Sequence, residues 1–297
     1  MTPIDSAHIR PPRTALLLLN DNARRGRESG DLVRQLMQRA GIATIEPTAG
    51  MAFVDAIRAH AAGVDCVIVG GGDGTLGACV DAIAASGLPM GVLPLGTAND
   101  FARSLGIPVD LASALGVIAR AHAFHVDLGV ANGHAYLNVA SVGFSAELAA
   151  ALTAENKKRW GKLGYAITAA KLLAGSKVFD AAITHDGAVE RFHTFQVSVG
   201  NGRFYGGGMT VHNEASPMDG MLDVYSLEID HWWKLLRLLP ALRKGTHGQW
   251  NDVRAFSSKA LHLETGKPLP VNLDGELKTT TPVTFEIREN ALKVYMP

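Results

Sequence analysis

The chain has 297 residues, with 28 Lys and Arg balancing 28 Asp and Glu to a formal net charge of +0, so it carries no global basic footprint for nucleic acid. Hydrophobic residues make up 47% and charged residues 19%, the composition of a globular protein with a full core and length for two domains. The two cysteines, Cys66 and Cys79, form no CxxC pair, which argues against a disulfide scaffold or a zinc cluster and favours a reducing, cytoplasmic setting. The first residues lack an apolar signal core, and no run of about 18 apolar residues offers a membrane span.

In chain order, the first 128 residues alternate strands and helices. Ala15–Leu19 is a continuous apolar run ending at Asn20, the pattern of a strand buried on both faces. Asp31–Ala40 has helical spacing through Leu32, Leu36 and Met37, and a second helix falls around Ala52–Ala62. The strand Cys66–Val69 precedes a helix from about Leu76 to Ala85; the strand Met90–Leu93 precedes a helix from Asn99 to Leu105. This alternation predicts an α/β domain built on a Rossmann-like parallel sheet covered on both faces.

From Val126 onward the pattern changes to short alternating strands with turn pairs at Asn132-Gly133, Asp186-Gly187 and Thr265-Gly266. Phe192–Val199 and Met221–Leu227 suit antiparallel strands. Residues 129–284 therefore read as a mostly antiparallel β-sandwich domain, and residues 285–297, including the strand Leu292–Tyr295, as returning to the domain of residues 1–128.

The strand Cys66–Val69 runs into Gly70-Gly71-Gly72-Asp73-Gly74-Thr75 and then a helix. Glycines in series allow positive φ and close backbone approach, and their N–H groups with the helix N-terminus attract phosphate. A ligand-free turn is the plainer alternative, but four glycines around an Asp at the carboxyl end of a buried strand sit where such sheets bind ligands. Gly72–Gly77 formally fits the dinucleotide G-x-G-x-x-G, yet the next strand ends at Leu93-Pro94-Leu95-Gly96-Thr97 with no ribose-binding acid. No Walker A sequence occurs.

A second loop, Leu95-Gly96-Thr97-Ala98-Asn99-Asp100-Phe101-Ala102-Arg103, also follows a strand and opens a helix. Together GGGDGT and LPLGTANDFARSLGIP resemble the diacylglycerol kinase catalytic-domain family, which includes bacterial soluble lipid kinases and relatives of the sphingosine and ceramide kinases. GGDGT alone is shared with NAD kinases, so an NAD-kinase-like or other small-molecule kinase stays open, as does a catalytically silent lipid-binding regulator. The resemblance implies an ATP-dependent phosphotransferase acting on a lipid hydroxyl of diacylglycerol, phosphatidylglycerol, ceramide or sphingoid type, with ATP between the domains. It implies nucleotide contacts from Gly71, Gly72, Asp73, Gly74, Thr75, Leu76, Gly77 and Thr97, with Asn20 and Thr48 in the loops after the first two strands. Where the family often has Asn-Pro, this chain has Asn20-Asp21; Arg24 and Arg25 nearby are candidates for phosphate or for plain solvation.

Near the C-terminus, Asn272-Leu273-Asp274-Gly275-Glu276 matches the family's D-G-E signature. The resemblance implies Glu276 as general base, with Asp274 beside it and Asp73 as the competing candidate. An ordinary Asp-Gly hairpin is the alternative. Ser216–Asp223 resembles the family's cation loop, with Asp219 offering a carboxylate and Ser216 and Met221 offering carbonyls to Mg²⁺ or Ca²⁺, separate from the Mg²⁺ that travels with ATP. Residues 231–244 (HWWKLLRLLPALRK) and 157–162 (KKRWGK) read either as peripheral membrane contacts or as packed helices with a solvated basic face. The edge strands of a β domain leave room for a homodimer.

Overall fold

A computed structural model of the chain describes residues 10–20, 26–151, 177–205, 208–210, 215–229, 233–246, 248 and 250–297. It divides into a first unit, the described residues up to Leu128 with Arg288–Pro297, and a second unit, Gly129–Tyr205 with Met209–Ile287.

In the first unit the apolar run forms strand β1 (Thr14–Leu19), whose Ala15–Leu18 are fully buried. It pairs in parallel with β2 (Ala43–Ile45) on one side and β3 (Cys66–Gly71) on the other, and β4 (Met90–Pro94) lies parallel beyond β3. The end of the last strand, β18 (Val283–Tyr295), completes the series through Val294 opposite Met90. Parallel strands need crossovers, supplied here by α1 (Gly26–Arg39), α2 (Phe53–His60), α3 (Asp73–Ser86), α4 (Asp100–Ser104) and α5 (Leu111–Arg120). Helix α5 was not expected from the residue pattern; it is capped by Asp110, whose carboxylate accepts the Ser113 N–H at 2.9 Å. Helix α1 buries part of the face expected, Met37 fully and Leu36 by half, but is rotated so that Val33 takes the place of Leu32. Val33 and Met37 are buried, whereas Leu32 is 45% exposed. Cys66 and Cys79 are buried free thiols, and burial pushes the Cys66 thiol up to about 12.

The second unit is a sandwich. One layer is antiparallel throughout, in the order β14 (Val253–Ser258), β13 (Leu222–Leu227), β10 (Gln196–Gly200), β7 (Val139–Gly143), β16 (Pro270–Leu273), β17 (Glu276–Thr280). The other holds the first half of β18, β15 (Ala260–Thr265), β8 (Phe179–His185) and β9 (Ala188–Thr194), with β5 (Ala123–Ala131) and β6 (His134–Tyr136) joined to it. Strand β7 leads directly into α6 (Phe144–Ala151), and β11 (Phe204–Tyr205) pairs with β12 (Met209–Thr210) as a short separate ribbon. Alternate residues of both layers interdigitate: Ala140, Val142, Val197, Val199, Val224 and Val271 from one, Ile183, Phe192, Leu261, Leu263 and Phe285 from the other.

The turns Asn132-Gly133 and Asp186-Gly187 both have positive φ at each residue, as two-residue hairpins require. Thr265-Gly266 is not a hairpin, because β15 and β16 belong to different layers. The run Phe192–Val199 is two strands rather than one: it breaks at Phe195, where the chain passes from β9 to β10. Gly129 lies opposite Tyr136, and a Cβ there would sit 2.2 Å from the ring. The Tyr136 phenol is wholly buried, and burial together with the charge of Asp274 holds it neutral.

Candidate functional site

The carboxyl ends of the parallel strands set the first group of residues. Strand β3 ends at Gly71, and Gly72 precedes Asp73, the first residue of α3. None of Gly70, Gly71, Gly72 or Gly74 has a positive φ, so the left-handed backbone expected there is absent and close backbone approach is the part of the expectation that remains. A Cβ on Gly70 would meet Leu19 at 2.5 Å, and one on Gly71 would meet Thr75 at 2.5 Å. One on Gly96 would meet the Gly72 Cα at 2.5 Å. The two loops therefore touch backbone to backbone, which only glycine permits. Gly74 differs. It is exposed on the first turn of α3, its backbone is not left-handed, and a Cβ placed on it would meet nothing within 4 Å; the fold gives no reason for glycine there.

Polar contacts fix these loops. The Asn20 N–H donates to Gly70 O at 2.9 Å, and its Nδ2 donates to Thr75 Oγ1 at 2.8 Å, so Thr75 keeps its own hydroxyl proton to give elsewhere. Asp73 Oδ1 accepts the Phe101 N–H at 2.9 Å, tying the first loop to α4. Asn99 holds a left-handed backbone (φ 52°), and its side chain exchanges hydrogen bonds with Gly96, Oδ1 accepting at 2.9 Å and Nδ2 donating at 3.2 Å. Thr97 and Thr48 are exposed, Thr97 in the loop after β4 and Thr48 in the loop after β2, where its carbonyl accepts the Met51 N–H at 3.0 Å. Leu76 and Gly77 are buried in α3. Asn20, Thr48, Gly71–Thr75 and Thr97 thus share the same end of one parallel sheet.

In the second unit, Asp274 (φ 50°) and Gly275 (φ 100°) turn β16 into β17, with Leu273 opposite Glu276. The Asp274 carboxylate accepts three successive backbone N–H groups: Leu137 at 2.6 Å, Asn138 at 2.9 Å and Val139 at 3.1 Å. Its own N–H donates to Val139 O at 3.1 Å. Asp274 is therefore a clamp as well as a turn residue. Glu276 is different: its carboxylate is half exposed and pairs only loosely with Lys278, at 3.5 Å.

Asp219 lies on an exposed turn before β13, its oxygens accepting the N–H groups of Ser216 (3.2 Å) and Met221 (3.0 Å). Among the described residues no three His, Cys, Asp or Glu cluster as a metal site, so a cation at Asp219 depends on carbonyl oxygens to complete its shell. In helix α7 (Trp233–Lys244), Leu238 and Ala241 are buried, and Leu235 packs against the cluster that holds Phe195, Leu227 and Val253. Arg243 and Lys244 face solvent. Arg24, Arg25, residues 157–162 and residues 231–232 lie outside the described residues. Sequence reading passed over Asn99, Asn138 and Asn201. Their local sequence gives only turn character; Asn99 bonds within its own loop, to Gly96, and the partners of Asn138 and Asn201 lie in other loops.

Comparison with known proteins agrees with this arrangement. The profile of the diacylglycerol kinase catalytic domain matches residues 14–131, and that of the YegS C-terminal NAD kinase beta sandwich-like domain matches residues 138–296. A Pseudomonas putida protein named "Probable lipid kinase YegS-like" is 32% identical over 289 residues, covering 96% of each chain. A Staphylococcus aureus diacylglycerol kinase is 30% identical over 250 residues, 84% of this chain and 79% of its own. A crystal structure from Bacillus anthracis str. Sterne, its chain assigned as a diacylglycerol kinase, superposes with a TM-score of 0.80 at 27% identity, covering 99% of this chain and 98% of its own. The chain belongs to the diacylglycerol kinase-like family of lipid kinases.

Proposed function

We propose that the chain transfers the γ-phosphate of ATP to a lipid hydroxyl. The observation that carries this reading is Gly74, an exposed glycine on a helix N-terminus that no neighbour in the fold requires. A phosphate approaching the N-terminus of α3 supplies the reason, because any side chain at position 74 would stand in its way. Asn20 leaves the Thr75 hydroxyl free to donate, and Asp73 and Asn99 hold the second loop with Thr97 beside it. Mg²⁺ bound with the nucleotide would neutralise phosphate charge.

Glu276 is the general base of this reading. The lipid oxygen bonds to the γ-phosphorus as its proton passes to the Glu276 carboxylate, the bond from the γ-phosphorus to the β,γ-bridging oxygen breaks, and ADP leaves. Asp219, with the Ser216 and Met221 carbonyls, is a site for a hard cation, Mg²⁺ or Ca²⁺. Membrane contact would come through the basic end of α7, at Arg243 and Lys244, with Leu235 and Leu238 packed against the sheet. Anionic liposomes should then recruit the protein at low salt in a sedimentation assay and release it as salt rises; equal recruitment by neutral vesicles would sink this.

The direct test incubates purified protein with labelled ATP, Mg²⁺ and, separately, diacylglycerol, phosphatidylglycerol, ceramide, a sphingoid base and NAD. A labelled lipid supports the proposal. Label on NAD alone moves the chain to an NAD-kinase-like activity, and no label at all leaves a binding protein. A second expectation isolates the nucleotide loop. Gly74→Ala should leave the melting temperature unchanged or raise it slightly, since the added methyl meets nothing and alanine favours the helix. It should raise the KM for ATP about tenfold, equivalent to about 1.4 kcal/mol of lost binding. An unchanged KM would remove Gly74 from the phosphate site.

A further inference from the structure

The segment Leu137–Val139, which links β6 to β7, is held from two sides. Its N–H groups go to the Asp274 carboxylate as described. Its carbonyls go to the loop that follows β10: Leu137 O accepts from Asn201 Nδ2 at 2.9 Å, and Asn138 O accepts from the N–H groups of Asn201 (2.9 Å) and Gly202 (3.1 Å). Asn201 is only 2% exposed and Asn138 3%. A short run of backbone this deep must have its polar groups satisfied, and here Asp274 from one distant part of the chain and Asn201 with Gly202 from another satisfy them.

The arrangement has a direction. Asn201 fixes the peptide plane of Leu137 through its carbonyl, and the same peptide series points its N–H groups at Asp274. Asp274 is the first residue of a two-residue turn, and Glu276 is the residue just past it. Among the described residues Glu276 itself is held by a loose ion pair to Lys278. Its place is thus set by the hairpin, and the hairpin's by the clamp. We infer that Asn201 is a positioning residue for Glu276, acting through Leu137–Val139 and Asp274.

This inference rests on the kinase reading for its effect on turnover, but the clamp itself can be read without any turnover. The full chain would be compared with Asn201→Ala, the isosteric Asn201→Asp, which replaces the Nδ2 donor with oxygen, and the control Asn132→Gly. Asn132 makes a comparable set of contacts, to Thr279, Pro282 and Thr284, on another turn of the same unit.

Both Asn201 variants should speed hydrogen exchange at the amides of Leu137, Asn138 and Val139 by about tenfold or more while other β7 and β10 amides stay protected. They should lower kcat about tenfold to a hundredfold, as small displacements of a reacting group do, and leave the KM for ATP within about twofold. Asn132→Gly should lower the melting temperature without either effect. Unchanged exchange at 137–139 overturns the clamp. Faster exchange with an unchanged kcat overturns the link to Glu276. A wild-type chain silent on every lipid defeats the kinase reading and the link with it, while the exchange result still decides the clamp.

Discussion

Glu276→Gln should lower turnover by between about a hundredfold and ten-thousandfold, the range that a positioned base contributes, while ATP binding measured by calorimetry stays as it is in the parent chain. The substitution keeps shape and removes only the ability to take a proton. It should also leave stability within about 0.5 kcal/mol, because the pair with Lys278 is partly exposed and long at 3.5 Å. Near-normal turnover in this variant would transfer the role to Asp73. The two acids are nonetheless placed for different work. Asp73 holds the Phe101 amide and so joins the two loops at the sheet end, so Asp73→Asn should show its effect in the KM for ATP as well as in kcat.

Asp274→Ala should differ from Glu276→Gln in damaging the fold as well as the activity. It strips a charged acceptor from three backbone N–H groups. Bonds to a charged group contribute about 1.5–3 kcal/mol each, and water can replace part of that at a half-buried site. Alanine also tolerates the left-handed backbone at this position (φ 50°) less well than Asp. A loss of about 3–5 kcal/mol follows, read as a fall of roughly 10 °C in melting temperature, with turnover lost through the displaced hairpin. Asp274→Asn keeps one acceptor and the turn preference, and should fall between the parent chain and Asp274→Ala in a thermal melt. A melting temperature unchanged in Asp274→Ala would mean that the three bonds do not hold the segment.

Much of the fold was readable from residue order. Continuous apolar runs gave β1 and β3 because strands covered on both faces have no polar side to show. Asn132-Gly133 and Asp186-Gly187 gave their hairpins because left-handed backbone is chemically selective. What escaped was set by contacts across the chain. Leu32 and Val33 are equally good apolar residues for a helix, and only the sheet beneath α1 decides that Val33 is the buried one. The switch of layer at Phe195 leaves no local mark, since both β9 and β10 are good strands. The glycines of the loop after β3 were legible as a group but for an incomplete reason: Gly71 is set by the Thr75 side chain folded over it, and Gly72 by a backbone contact with Gly96, in a loop about 24 residues away. Asn201 was invisible because its meaning lies wholly in Leu137 and Asn138.

The last strand, β18, belongs to both units: its residues up to Ile287 serve the second, and those from Arg288 serve the first. During synthesis the strand that lies beside β4 therefore leaves the ribosome only after the whole second unit. Until then β4 presents an open edge, and the first unit cannot close by local contacts alone. Such long sequence separation slows folding and prolongs exposure of apolar strands. A cut at the boundary after Leu128 would yield a first unit missing a strand.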